Sequence, residues 1–105
     1  MRVLLDECVH AGIRKAFVGH SVATVPQAGW SGIKNGKLLA LIADSFDVFL
    51  TIDQSIRHQQ NLSGLPFVII FVAVPDNTIE SYIPLFDAML QAVEGSRPGD
   101  ILILP

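Results

Sequence analysis

The spacing of hydrophobic positions changes period several times along the chain, and each change marks an element. Val3-Leu4-Leu5 is a short unbroken apolar run, the pattern of a strand buried on both faces. From Cys8 the spacing turns helical, with Val9, Ile13, Ala16 and Phe17 on one stripe and Gly19 as the stop. Ser21 to Val25 is rich in β-branched residues and predicts a second strand. Pro26 to Gly36 holds three glycines and a proline and reads as a loop. Asn35 stands where a helix N-cap belongs, ahead of Leu38, Leu41 and Ile42. Asp47 to Ile52 predicts the third strand, with Asp53 at its carboxyl end, and the polar stretch Gln54 to Pro66 holds one short helical turn. Phe67 to Val72 is the fourth strand. Asn77 or Thr78 opens a last long helix with Ile79, Tyr82, Ile83, Phe86, Met89, Leu90 and Val93 facing inward, and Pro84 should kink it or move its true start later. Gly95 to Gly99 is a turn before a fifth strand, Ile101 to Leu104.

Strands that alternate with helices and carry apolar runs point to a parallel sheet covered on both faces. The expected architecture is an α/β three-layer sandwich with a mainly parallel, about five-stranded sheet, formed as one domain over residues 1–105. In such sheets functional groups gather beyond the carboxyl ends of the strands.

Two acidic positions fall at those ends: Asp6 with Glu7 after the first strand, and Asp53 after the third. If the two strands are neighbours, the acids converge. Clustered carboxylates stay ionised together when a hard cation such as Mg²⁺ or Mn²⁺ screens them. The plainer alternative is that Asp6 caps the first helix and Asp53 the turn that follows it. Lys34, Lys37, Arg57 and His58 lie on segments expected at the same edge, where they would hold phosphates or simply be solvated. Trp30 could stack on a base or anchor its loop to the core. Gln59, Gln60 and Asn61 form an uncharged amide run that could read base edges or satisfy local backbone.

Composition removes several classes. Half of the 105 residues are hydrophobic and 16% are charged, which disfavours disorder. The formal net charge of −3 argues against a generic basic coat for nucleic acid. A lone cysteine, Cys8, cannot form an intrachain disulfide, and Asp6 and Glu7 interrupt the opening apolar run too soon for a signal-peptide core. The longest apolar run, Phe67 to Val74, is well short of the about 20 residues of a membrane helix. The expected setting is cytoplasmic, with no membrane partner. No G-x-G-x-x-G or P-loop spacing occurs, and no lysine follows the fourth strand as a phosphoacceptor domain would need. Cys8 lacks the flanking motif of a nucleophile, and two neighbouring acids disfavour its thiolate. His10 and His20 read as surface or helix-end residues, without zinc-site spacing.

Val3-Leu4-Leu5-Asp6-Glu7, Phe49-Leu50-Thr51-Ile52-Asp53 and the Gly29-Trp30 loop with its helix resemble a PIN-like domain. More specifically, the chain resembles the short bacterial PIN-like proteins, similar to VapC-type toxin ribonucleases, that occur beside small antitoxin-like genes. His58 to Pro66 looks like a signature of one branch of that family. The resemblance covers essentially the whole chain. It implies a Mg²⁺- or Mn²⁺-dependent endoribonuclease, commonly the toxin of a toxin–antitoxin pair, with RNA as substrate and an antitoxin protein as partner. It assigns Asp6 and Asp53 as metal ligands. The further acid that normally begins the helix before the third strand matches Asn35, which supplies an oxygen without charge. Lys37, two residues on, adds positive charge there, and Glu7 could partly replace the missing acid. A second expectation is therefore a module that keeps the fold and binds an antitoxin-like protein or RNA without cleaving. The high apolar fraction also makes a homodimer an expectation.

Overall fold

A computed structural model describes residues 1–105. Five strands, β1 (Arg2–Leu5), β2 (Ser21–Thr24), β3 (Val48–Thr51), β4 (Val68–Val72) and β5 (Ile101–Leu104), form one sheet in the order β2-β1-β3-β4-β5. Every neighbouring pair is parallel. The helices are α1 (Asn35–Ser45), α2 (Ile56–Gln59), α3 (Ile79–Tyr82) and α4 (Phe86–Gly95), with 3₁₀ turns at Ala11–Ala16 and Ile83–Leu85. The architecture is the α/β sandwich that the alternation of patterns predicts. No helix is long and apolar enough to cross a membrane.

The unbroken apolar runs are explained by two cores, one on each face. Alternate strand residues point to opposite sides. Val3 and Leu5, Val48 and Leu50, and Val68, Ile70 and Val72 meet the Ala11–Ala16 helix, Tyr82, Met89 and Val93. Leu4, Phe49, Ile69 and Phe71 meet α1, Ile56 of α2, Val25 and Phe67. Burying one such side chain stabilises the fold by about 1.5–3 kcal/mol, so neither face tolerates a polar replacement at the strand centres. The edge strand β5 differs. Leu102 and Leu104 pack on the first core, whereas Ile101 and Ile103 stay exposed on the side that the other layer leaves uncovered.

Three local expectations are corrected. The stripe beginning at Cys8 becomes helical only at Ala11, because Cys8 and Val9 are used to turn the chain out of β1, where the Val9 N–H bonds the Asp6 carbonyl at 3.0 Å. His10 caps the 3₁₀ helix instead, its Nδ1 accepting the Gly12 N–H at 3.0 Å, and Gly19, at φ 84°, makes the turn into β2. Lys34, not Asn35, is the extended residue before α1, and Asn35 is the first helical residue. Pro84 does break the last helix, as expected, but the tighter turn it imposes rotates Ile83 outward to 52% exposure, so Ile83 is no core residue.

Candidate functional site at the carboxyl ends of β1 and β3

From β1 the chain winds to β2 on one side and from β3 onward to the other, so β1 and β3 are the neighbours at which the order reverses. Such a switch point opens a crevice beyond the strand ends. Asp6 and Asp53 both lie at these strand ends. Leu5 is in register with Leu50, and the Asp6 N–H bonds the Leu50 carbonyl at 2.9 Å, which brings Asp6 against Thr51.

Thr51, the fully buried last residue of β3, joins the two acids. Its hydroxyl donates to Asp6 Oδ2 at 2.7 Å and accepts the Asp53 N–H at 3.0 Å. Asp6 is itself buried, at 7% exposure, and its Oδ1 accepts the Glu7 N–H at 2.8 Å. Asp6 therefore does not cap the following helix; that role belongs to His10. Asp53 does serve its turn: Oδ1 accepts the Ser55 N–H at 3.0 Å and the Ser55 hydroxyl at 2.6 Å, while Oδ2 accepts no hydrogen bond. The Cys8 thiol lies 3.6 Å from Asp6 Oδ2 and 3.7 Å from the Thr51 hydroxyl. Burial first, and then the Asp6 charge, push the thiol pKa up, which keeps Cys8 a neutral thiol rather than a nucleophilic thiolate.

All donors to these two carboxylates are neutral. The chain's ion pairs are Arg2 with Asp47 and His20 with Glu94, so no cationic side chain balances Asp6, Glu7 or Asp53. Glu7 is exposed and its carboxylate makes no hydrogen bond within the chain; it does not turn in beside Asp6. Asn35, half-buried, begins α1 at the same edge. A Cβ on the adjacent Gly36 would stand 3.4 Å from Gln60 Oε1, so one member of the amide run lies against the start of α1. Lys34 and Lys37 are exposed at this helix start, and His58 is exposed on α2. Arg57 donates to Gln54 Oε1 at 3.2 Å and sits 5.7 Å from the centroid of the Phe71 ring, which fixes it over the end of β4. Trp30 meets Phe46 edge-on, with centroids 5.7 Å apart, and packs against the second core, so it anchors its loop.

The donor set consists of oxygens, as hard cations require. No group of three His, Cys, Asp or Glu side chains gathers anywhere in the chain, so no ion would be caged by acidic side chains alone. Mg²⁺ is commonly held by one or two carboxylates together with waters and substrate phosphates. Two unneutralised strand-end carboxylates fit that demand. Thr51 enters the sequence reading only as part of the Thr-x-Asp strand end, without a role of its own, and Ser55 does not enter it. The Thr-x-Asp and Asp-x-Ser spacings were visible, but the bond from Thr51 to Asp6 depends on β1 and β3 being neighbours.

No family model, curated protein or solved structure matches the chain.

Proposed function

We propose that the protein is a Mg²⁺- or Mn²⁺-dependent endoribonuclease, acting as the toxin of a toxin–antitoxin pair. The observation that carries the reading is that Asp6 and Asp53 stand at neighbouring strand ends, the Thr51 hydroxyl bonding the Asp6 carboxylate and the Asp53 backbone N–H, with no cationic side chain on either acid. Asp6 and Asp53 would hold the ion, with Asn35 completing its shell directly or through water and Glu7 reaching it only through water. When bound, such an ion polarises a phosphoryl oxygen and lowers the pKa of a coordinated water. The chain's own groups do the rest. Glu7, exposed and unpaired, would accept the proton of the attacking water as the bond from phosphorus to the 3′ oxygen breaks, and the leaving 3′ oxygen would take a proton from solvent. Lys34, Lys37, Arg57 and His58 hold the phosphates of the strand to be cut, and their exposure at the edge that carries the acids supports that role. The toxin assignment rests on the resemblance of the Leu-Leu-Asp-Glu and Thr-x-Asp segments. It brings an antitoxin-like protein as partner, and exposed Ile101 and Ile103 on β5 support contact with that protein or with a second copy.

A second reading, a module that binds without cleaving, is favoured by one observation: no third acid joins Asp6 and Asp53. Incubation of the purified protein with a mixed RNA pool in Mn²⁺ separates the two. Cleavage to 5′-phosphate ends, abolished by EDTA and by Asp6→Asn, is the expected result. A folded protein that retains RNA on a filter but leaves it intact favours the binding module and overturns the nuclease.

A further inference from the structure

We infer that β5 is the edge at which a second copy of this chain pairs, antiparallel, so that the two sheets join across a two-fold axis; the inference stands apart from the nuclease reading above. The two edges of the sheet are finished differently. On β2, the Ser21 and Val25 N–H groups bond the Met1 and Leu5 carbonyls at 3.2 and 2.9 Å, so Val22 and Thr24 turn their backbone outward. Thr24 is closed off by its own loop: its N–H goes to Gln27 Oε1 and its carbonyl takes the Ala28 N–H, each at 3.0 Å. On β5, the Asp100 and Leu104 carbonyls accept the Ile69 and Ala73 N–H groups, each at 3.0 Å. Bonding direction alternates along the strand, so Ile101 and Ile103 turn N–H and C=O away from β4, and no loop closes them off. Their side chains are 44% and 52% exposed. A bare apolar edge of this kind is a template for another strand.

A second copy matches it by symmetry. Placing Leu102 on the two-fold axis sets Ile101 opposite the partner's Ile103, and the same pair recurs on the other side of the axis. Both pairs exchange backbone bonds and bring isoleucine against isoleucine. No charge lies within Ile101–Leu104. The nearest, Asp100, already takes the Arg97 N–H on Oδ2 at 2.9 Å and falls opposite the partner's Leu104, so no like charges meet. Four residues from each copy bury less than the about 1,200 Å² of a standard interface. The dimer therefore forms as concentration rises and is not obligate. The strand-end acids lie on β1 and β3, with β4 between them and this edge, and stay open.

Sedimentation velocity of the full chain, from the low micromolar to the millimolar range, should show monomer giving way to dimer. Amide hydrogen exchange followed by NMR should slow about 10-fold at Ile101 and Ile103 over the same range, and stay unchanged at Val22 on the other edge. Ile103→Lys places on β5 the charge that natural edges use against pairing, and should abolish the dimer. Mixing it with Ile101→Glu, whose carboxylate falls opposite the lysine in this register, should restore a mixed dimer. Melting temperatures check the fold of each variant alone, and if Ile103→Lys does not fold, Ile101→Lys mixed with Ile103→Glu makes the same comparison. A wild type that stays monomeric throughout, a dimer that survives the lysine in a folded protein, or exchange unchanged at Ile101 and Ile103 overturns the inference. Each of these leaves the nuclease reading to be judged by RNA cleavage.

Discussion

The same two strands carry an aspartate at each end, and the two are held in opposite ways. Before β3, Asp47 is half-exposed and takes the Arg2 N–H at 2.7 Å on Oδ2, with the Arg2 Nε 3.6 Å away. The Arg2 backbone bond is the main cause holding the Asp47 carboxyl below its ordinary value, and the guanidinium adds to it. After β1, Asp6 is buried, yet every donor it meets is neutral: the Glu7 N–H, the Thr51 hydroxyl and the Cys8 thiol. A buried charge without an opposite charge is costly to keep. The amino-end aspartate has its counter-charge built in, as a structural residue should. The carboxyl-end aspartate is oriented by neutral groups alone, as the proposed role of metal ligand requires.

Exchanging the same atoms at the two ends gives the largest contrast. Asp6→Asn should lower Mn²⁺-dependent RNA cleavage by more than about 100-fold, beyond the cost of losing an orienting partner, while Asp47→Asn leaves cleavage at the wild-type level. Gel assays of both variants under one set of conditions check this, and equal losses would erase the distinction. Adding charge should sharpen it. The double change Asn35→Asp with Lys37→Glu supplies a third carboxylate at the start of α1 and removes a competing cation. The Mn²⁺ concentration for half-maximal cleavage should fall about 10-fold.

Smaller effects come from the groups around the acids. Lys34→Ala with Lys37→Ala should weaken RNA retention and flatten its dependence on salt, by about 0.7 in log–log slope for each phosphate no longer neutralised. Filter binding over a range of salt concentrations measures it. The smallest effect belongs to the amino end. Asp47 is depressed in the folded chain, so its contribution to stability is present at pH above its ordinary 3.8 and disappears as pH falls through the lower folded value. Because the pair is well exposed, Asp47→Asn should cost under about 1 kcal/mol at neutral pH. Denaturant melts of the two proteins should converge in strong acid.

The elements were legible because unbroken apolar runs and helical stripes report burial directly. Val3 to Leu5 and Val68 to Val72 could hardly serve anything but a sheet covered on both faces, and Pro84 cannot sit inside a regular helix. Asp6 and Asp53 were legible as strand-end acids for the same reason. Their meeting was not, since strand order is a tertiary property that periodicity does not carry. Thr51 was hidden more deeply. The Thr-x-Asp segment marks it, but its bond to Asp6 spans 45 positions and depends on strand order. His10 was legible as a helix-end residue but not as the cap, because its ring reaches Gly12 only once the chain has left β1 through a turn, which withholds Cys8 and Val9 from the helix their stripe suggested. Ile83 fitted the inward stripe, but the stripe assumes a constant 3.6-residue turn that Pro84 interrupts.

Isothermal titration of Mn²⁺ into wild type, Asp6→Asn and Asp47→Asn, each with and without an uncleavable single-stranded oligonucleotide, tests the reserved charge of Asp6 most directly. Wild type and Asp47→Asn should bind one ion per chain, more tightly with the oligonucleotide present, and Asp6→Asn should bind none over the same range. Equal binding by Asp6→Asn and wild type, or no binding by a folded wild type under either condition, would contradict it.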